Sequence, residues 1–167
     1  LSVTPTRTPI PTSSVGTPTS VKPSPTLTPG AFNLALNVFL HGIGRGGDGV
    51  NRQGEGNMSP LRTSRTVNLH LLNSENEEVV KRDVMLSYDP GSGSYKGTVN
   101  IGSGLGEGSY VLKAGMPGFL VDTKDSVLNI GGNQPPSFTL WTGDIDSNGE
   151  INILDYNNLL SCYGAKY

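Results

Sequence analysis

Between Ala31 and Leu140 the sequence alternates apolar and polar residues in short runs that glycines interrupt, and this pattern confines the chain to β-strands. NLALNVFLH puts Leu34, Leu36, Val38 and Leu40 on one side of an extended chain, because successive side chains of a strand point to opposite faces. RTVNLHLLN does the same through Val67, Leu69 and Leu71. The runs EEVVKRDVMLSYD, GSYKGTVNIG, GSYVLKAGM, DSVLNIGG and SFTLW follow. Between Tyr88 and Tyr95, Pro90 and Gly91 favour a turn. About seven short strands with no convincing helix among them predict a mostly-β fold, an antiparallel β-sandwich over residues 31–141.

Residues 1–30, LSVTPTRTPIPTSSVGTPTSVKPSPTLTPG, hold seven of the twelve prolines and no acid. Such a tract has too little apolar surface to fold alone. It favours polyproline II, in which it would reach about 90 Å at ~3.1 Å per residue. Thr-Pro composition of this kind suits an extracellular stalk. The expected organisation is an extended Pro/Thr/Ser-rich arm at 1–30, the sandwich at 31–141, and a loop with one short helix at 142–167.

Composition narrows the classes of partner. A net charge of −2 gives no electrostatic pull toward nucleic acid. No window approaches ~18 consecutive apolar residues, so no membrane span is expected. The chain starts at Leu1 without a charged-then-apolar leader, as expected of an exported, trimmed product. Its single cysteine, Cys162, excludes an internal disulfide and a cysteine zinc cage. It is read as a small apolar residue on the inner face of the last helix, the alternative being a thiol that crosslinks chains.

The sharpest chemical signal is GDIDSNGEINILDYNNLLSCYG, residues 143–164. A twelve-position calcium loop takes oxygens at positions 1, 3, 5, 7, 9 and 12, with glycine at 6. Counting from Asp144 gives Asp144, Asp146 and Asn148 at 1, 3 and 5, then Gly149 at 6. Glu150 offers its carbonyl at 7, Asn152 stands at 9 and Asp155 at 12. Ile151, at position 8, is expected to anchor the loop to the core. This donor set suits a hard divalent cation with flexible coordination, calcium (Ca2+) before magnesium. SFTLW reads as a strand, so the usual entering helix is missing. The leaving helix is predicted from Ile153 to Tyr163, with Tyr156, Leu159, Leu160 and Tyr163 on one face.

Opened by Gly-Asp, lacking an entering helix and followed by I-N-x-x-D-Y-N, residues 143–164 resemble a single type I dockerin repeat. The resemblance implies a calcium-dependent module of the kind that plugs polysaccharide-degrading enzymes into cohesins on scaffolding proteins. Dockerins carry two such repeats and often place polar, partner-reading residues at positions 10 and 11. Here one repeat is present and those positions hold Ile153 and Leu154, a pair suited to packing. The expected role is a calcium clip bracing the chain against the sandwich or another subunit. Upstream, Gly108, Tyr110, Leu112 and Ala114, then Pro117, Gly118 and Phe119, form a G-x-Y-x-L-x-A strand and a P-G-aromatic turn. Residues 65–131 are similar in this to carboxypeptidase-regulatory-like or prealbumin-like β-sandwiches, which implies the same fold class and a non-catalytic module.

Two other motifs lead elsewhere. Gly42, Gly44 and Gly47 satisfy G-x-G-x-x-G, but no helix-forming run follows to cradle a phosphate. HGIG at His41 matches the strand end of an α/β-hydrolase, but the nucleophile elbow G-x-S-x-G is absent. His41 to Arg65, with seven glycines, reads as one long loop able to contact a partner or glycan. Trp141 is expected to pack between sandwich and clip. Together these features predict a non-catalytic, extracellular, calcium-stabilised structural or interaction protein, a surface or fibre (filament) subunit that self-associates or binds a protein partner. The alternative is an accessory polysaccharide-binding module docked to a scaffold through the dockerin-like segment.

Overall fold

Each alternating run contributes to a strand, and for most of them the apolar side becomes core. The computed structural model describes residues 32–47, 54–128 and 135–163, so the arm at 1–30 lies outside the described residues. The strands are β1 (Phe32–Leu40), β2 (Ser64–Leu72), β3 (Glu78–Asp89), β4 (Ser94–Gly102), β5 (Gly108–Gly115), β6 (Asp122–Leu128) and β7 (Ser137–Leu140); one helix, α1 (Ile153–Cys162), follows.

The strands form one sheet in the order β6-β5-β2-β3-β4-β1-β7. Five of the six neighbouring pairs are antiparallel, as expected; β1 and β7 run parallel, from Asn37 beside Ser137 to Leu40 beside Leu140, which makes the sheet mixed. β3 and β4 pair only next to their hairpin, Ser87–Asp89 against Ser94–Lys96. Beyond it they part, and both halves of the sheet turn their apolar sides into a shared, sandwich-like core. The outer strands then approach each other. The Leu120 N–H donates to the Trp141 carbonyl at 2.7 Å, Phe119 and Thr142 form an antiparallel bridge, and the Thr139 N–H donates to Asp122 Oδ2 at 2.8 Å. The sheet is nearly closed.

Leu34, Leu36, Val38 and Leu40 of β1 are all buried, as are Val67, Leu69 and Leu71 of β2 and Phe138 and Leu140 of β7. Each such side chain contributes about 1.5–3 kcal/mol by leaving water. Tyr95 is buried too, and its hydroxyl donates to the Arg62 carbonyl at 2.7 Å, which satisfies its polar end.

Much of the expected long loop is ordered backbone. Gly44 and Asn57 are joined by an N–H···O bond of 2.9 Å, Asn57 returns one to Gly42 at 3.0 Å, and Arg45 donates to the Gly93 carbonyl at 2.8 Å. A Cβ on Gly44 would stand 2.1 Å from the Gly93 oxygen. Gly44, Gly46 and Gly56 let backbone pack on backbone, so at Gly44 the motif's glycine has a packing cause.

Candidate metal centre

The acidic loop begins where the sheet closes. Pro117 and Gly118 make a turn, with the Phe119 N–H on the Met116 carbonyl at 3.1 Å and Gly118 at φ +81°. The Gly118 carbonyl accepts the Gly143 N–H at 3.0 Å, pinning the start of the loop to the sandwich. Gly143 has φ +134°, and a Cβ there would meet the Ile151 side chain at 3.0 Å. Ile151 therefore packs over Gly143 rather than into the core, and it is 51% exposed. The expectation that position 8 anchors the loop to the core is corrected: the loop closes on its own first residue.

Within the loop the carboxylates collect backbone N–H groups. Asp144 is buried; its Oδ1 accepts from the Asn148 N–H and its Oδ2 from the Gly149 N–H, both at 3.0 Å. Asp146 accepts from the Asn148 N–H at 3.1 Å and from the Asn148 side-chain amide at 3.0 Å. Positive φ at Ser147 (60°) and Gly149 (88°) turns the chain so that these donors point inward. Asp155, also buried, accepts the Ile145 N–H at 2.7 Å and the Asn152 N–H at 2.9 Å. The Asn152 bond, with the N–H groups of Asp146 and Ile145 adding to it, holds the Asp155 carboxyl below the usual range against the opposing effect of burial.

Asp144, Asp146 and Asp155 each offer a carboxylate oxygen, and these oxygens lie within 4.8 Å of one another. Among the described residues none of the three pairs with a lysine, arginine or histidine; the ion pairs are His70–Glu78, Lys96–Asp89 and Lys124–Asp122. Like charges at ~4 Å repel by about 1 kcal/mol per pair in water, and more where two of the groups are buried. Three such carboxylates, ordered by N–H donors and lacking a basic partner, form a site that can hold a metal ion. The donor chemistry is all oxygen, which fits a hard cation.

The remaining loop positions do other work as well. Asn148 Oδ1 accepts the Glu150 N–H at 2.8 Å. Asn152 is the N-cap of α1, accepting from the Leu154 N–H at 2.8 Å, while Asp155 returns a bond to the Asn152 backbone. This capping box was legible as Asn152 and Asp155 three residues apart. The Glu150 side chain is exposed. The anchor at Gly118 was missed, although the Pro-Gly-aromatic turn that presents it could have marked it.

The helix departs furthest from expectation. Ile153, Leu154, Tyr156, Leu159, Leu160 and Tyr163 are all exposed, Tyr163 by 86%, and Asp155 is the buried residue of α1. Among the described residues no strand packs closely on α1. Cys162 is accordingly exposed rather than inward-facing, because among the described residues no strand covers its side of the helix. Trp141 is half-buried at the junction, its ring tilted 38° against that of His41 with centroids 5.0 Å apart. Among the described residues no helix is long and apolar enough to cross a membrane. The chain matches no protein-family model and no curated protein.

Proposed function

We propose that this is a non-catalytic, extracellular structural protein whose C-terminal loop binds calcium and whose job is assembly, as a subunit of a surface fibre. What carries the reading is the uncovered apolar face of α1, mounted on an acidic triad. An isolated ten-residue helix is marginal in water, below the ~12–15 residues needed even by good sequences. One held out by a metal loop with its apolar side bare is suited to meeting another chain. Asp144, Asp146 and Asp155 would bind through carboxylate oxygens, with Asn148, the Glu150 carbonyl and Asn152 completing the shell. The resemblance to a dockerin repeat supports calcium and an extracellular setting.

Sedimentation of the intact chain across a concentration series, with calcium and with chelator, tests the reading. Growth into large, regular species in calcium, lost on chelation, is the expected result. A monomer at every concentration would overturn it.

A further inference from the structure

Between the outer face of the sheet and the acidic loop lies an open cleft of about 350 Å³. We infer that this cleft binds a neutral sugar, a mono- or disaccharide unit, held between β2, the turn after β5 and the loop. The inference goes beyond the fibre reading and does not depend on it.

β2 builds the floor. Asn68 and His70 stand two residues apart on the outer face, because Val67, Leu69 and Leu71 between and beside them are buried in the core. Neighbouring carboxylates hold both side chains in place. Asn68 Nδ2 donates to Asp83 Oδ1 at 2.6 Å, and His70 Nδ1 pairs with Glu78 Oε2. The bond from His70 keeps the Glu78 carboxyl below its usual range, so Glu78 is the acceptor and Nδ1 the donor. Asn68 Oδ1 and His70 Nε2 are left for a ligand. On β5 the partner of Asn68 is Gly115, which adds no side chain to the floor.

The walls differ in chemistry. Met116, Phe119 and Val121, between β5 and β6, supply apolar surface, and Val121 is 56% exposed and open to contact. Ser147 to Gly149 supply polar surface, fixed in place by the Asn148 and Gly149 N–H groups on the Asp144 carboxylate. Small-molecule sites of ~300–1,000 Å³ combine an apolar lining with a few placed polar groups in this way. A pyranose ring has the matching form, with C–H groups on its face and hydroxyls around its edge. Its hydroxyls can donate to Asn68 Oδ1 and His70 Nε2 while the ring face lies on the apolar wall.

Charge selects a neutral ligand. Lys81 and Lys113 flank His70 on the two adjoining strands, and Asp83 and Glu78 offset them, two positive charges against two negative. Among the described residues lining the cleft there is no lysine or arginine, and the one carboxylate, Asp144, belongs to the acidic triad. A phosphate or carboxylate therefore finds no cation to pair with. Asp83 and Glu78 are already engaged by Asn68 and His70, which leaves little to hold an ammonium group.

The test is amide NMR of the full-length protein in millimolar calcium, titrated with cellobiose, maltose, mannobiose and diacetylchitobiose to about 10 mM. At least one of these neutral disaccharides should shift the Gly115 and Gly149 signals together, saturating with a Kd of about 0.1–5 mM. Asn68→Ala and His70→Ala, on the outer face where folding tolerates them, should each weaken that binding by about tenfold. Thr98→Ala, exposed on β4 away from the cleft, should leave it unchanged. Chitobiose, a dication, and digalacturonate, a dianion, should bind at least about tenfold more weakly than the neutral sugars. No saturable shift with any neutral disaccharide, equal binding by a charged one, or full binding by both cleft variants, with folds checked by circular dichroism, overturns the inference. Each of these outcomes leaves sedimentation behaviour untouched, so the fibre reading stands or falls separately.

Discussion

Asp155 belongs to two structures at once, closing the acidic loop through Ile145 and Asp146 and the capping box through Asn152. Asp155→Ala removes an acceptor from these N–H groups, each worth about 1–3 kcal/mol if left buried without a partner. The expected outcome is loss of calcium binding by calorimetry together with loss of the α1 signal in circular dichroism. Asp89 reads differently. Lys96 at 2.6 Å, then Ser92 and the Gly91 N–H, lower its pKa from 3.8 to about 2. Its folded pKa lies below the unfolded one, so its contribution is complete above pH 3.8 and is lost as pH falls toward 2. Lys96→Ala should move the Asp89 titration, followed by NMR, back toward the ordinary value; added salt should do so partly, since the pair is exposed. The loop acids were legible because ligand spacing is a local code. The settings of Ile151 and Cys162 were not, because they depend on what lies across from them, and a helix pattern does not say whether anything does.

Among elements, the strands were legible nearly to the residue, since burial of one face writes itself into period two. β6 begins at Asp122, before the alternation that marks it, because its first residues pair with β5 at Ala114 and Lys113. The parallel β1–β7 pairing had no local signal; parallel and antiparallel strands carry the same alternation when one face is exposed. The glycine-rich loop was legible as a loop, and its cause lay in contacts with the distant β3–β4 turn. Gly44→Ala forces a side chain onto a residue at φ +60° and against the Gly93 carbonyl. A loss of about 1–3 kcal/mol is expected from strain of this kind, read from a urea titration. A loop serving only as a flexible tether would show no change.

At the scale of the molecule, the sandwich and the α1 segment share a short seam, the Gly118–Gly143 bond and the Phe119–Thr142 bridge. Chelation should therefore unfold α1 and leave the sheet transition nearly in place, giving two separate thermal steps by circular dichroism; one cooperative step shifted as a whole would contradict this. The parallel pair has a mechanical consequence. Tension applied ahead of Phe32 and behind Leu140 drags β1 and β7 lengthwise in opposite directions. The register pairs from Asn37–Ser137 to Leu40–Leu140 are then loaded in shear and yield together, whereas a hairpin pulled from its open end peels one bond at a time. How long the fold lasts under such a load is set by its unfolding rate, and the parallel pairing of its first and last strands places that load in shear.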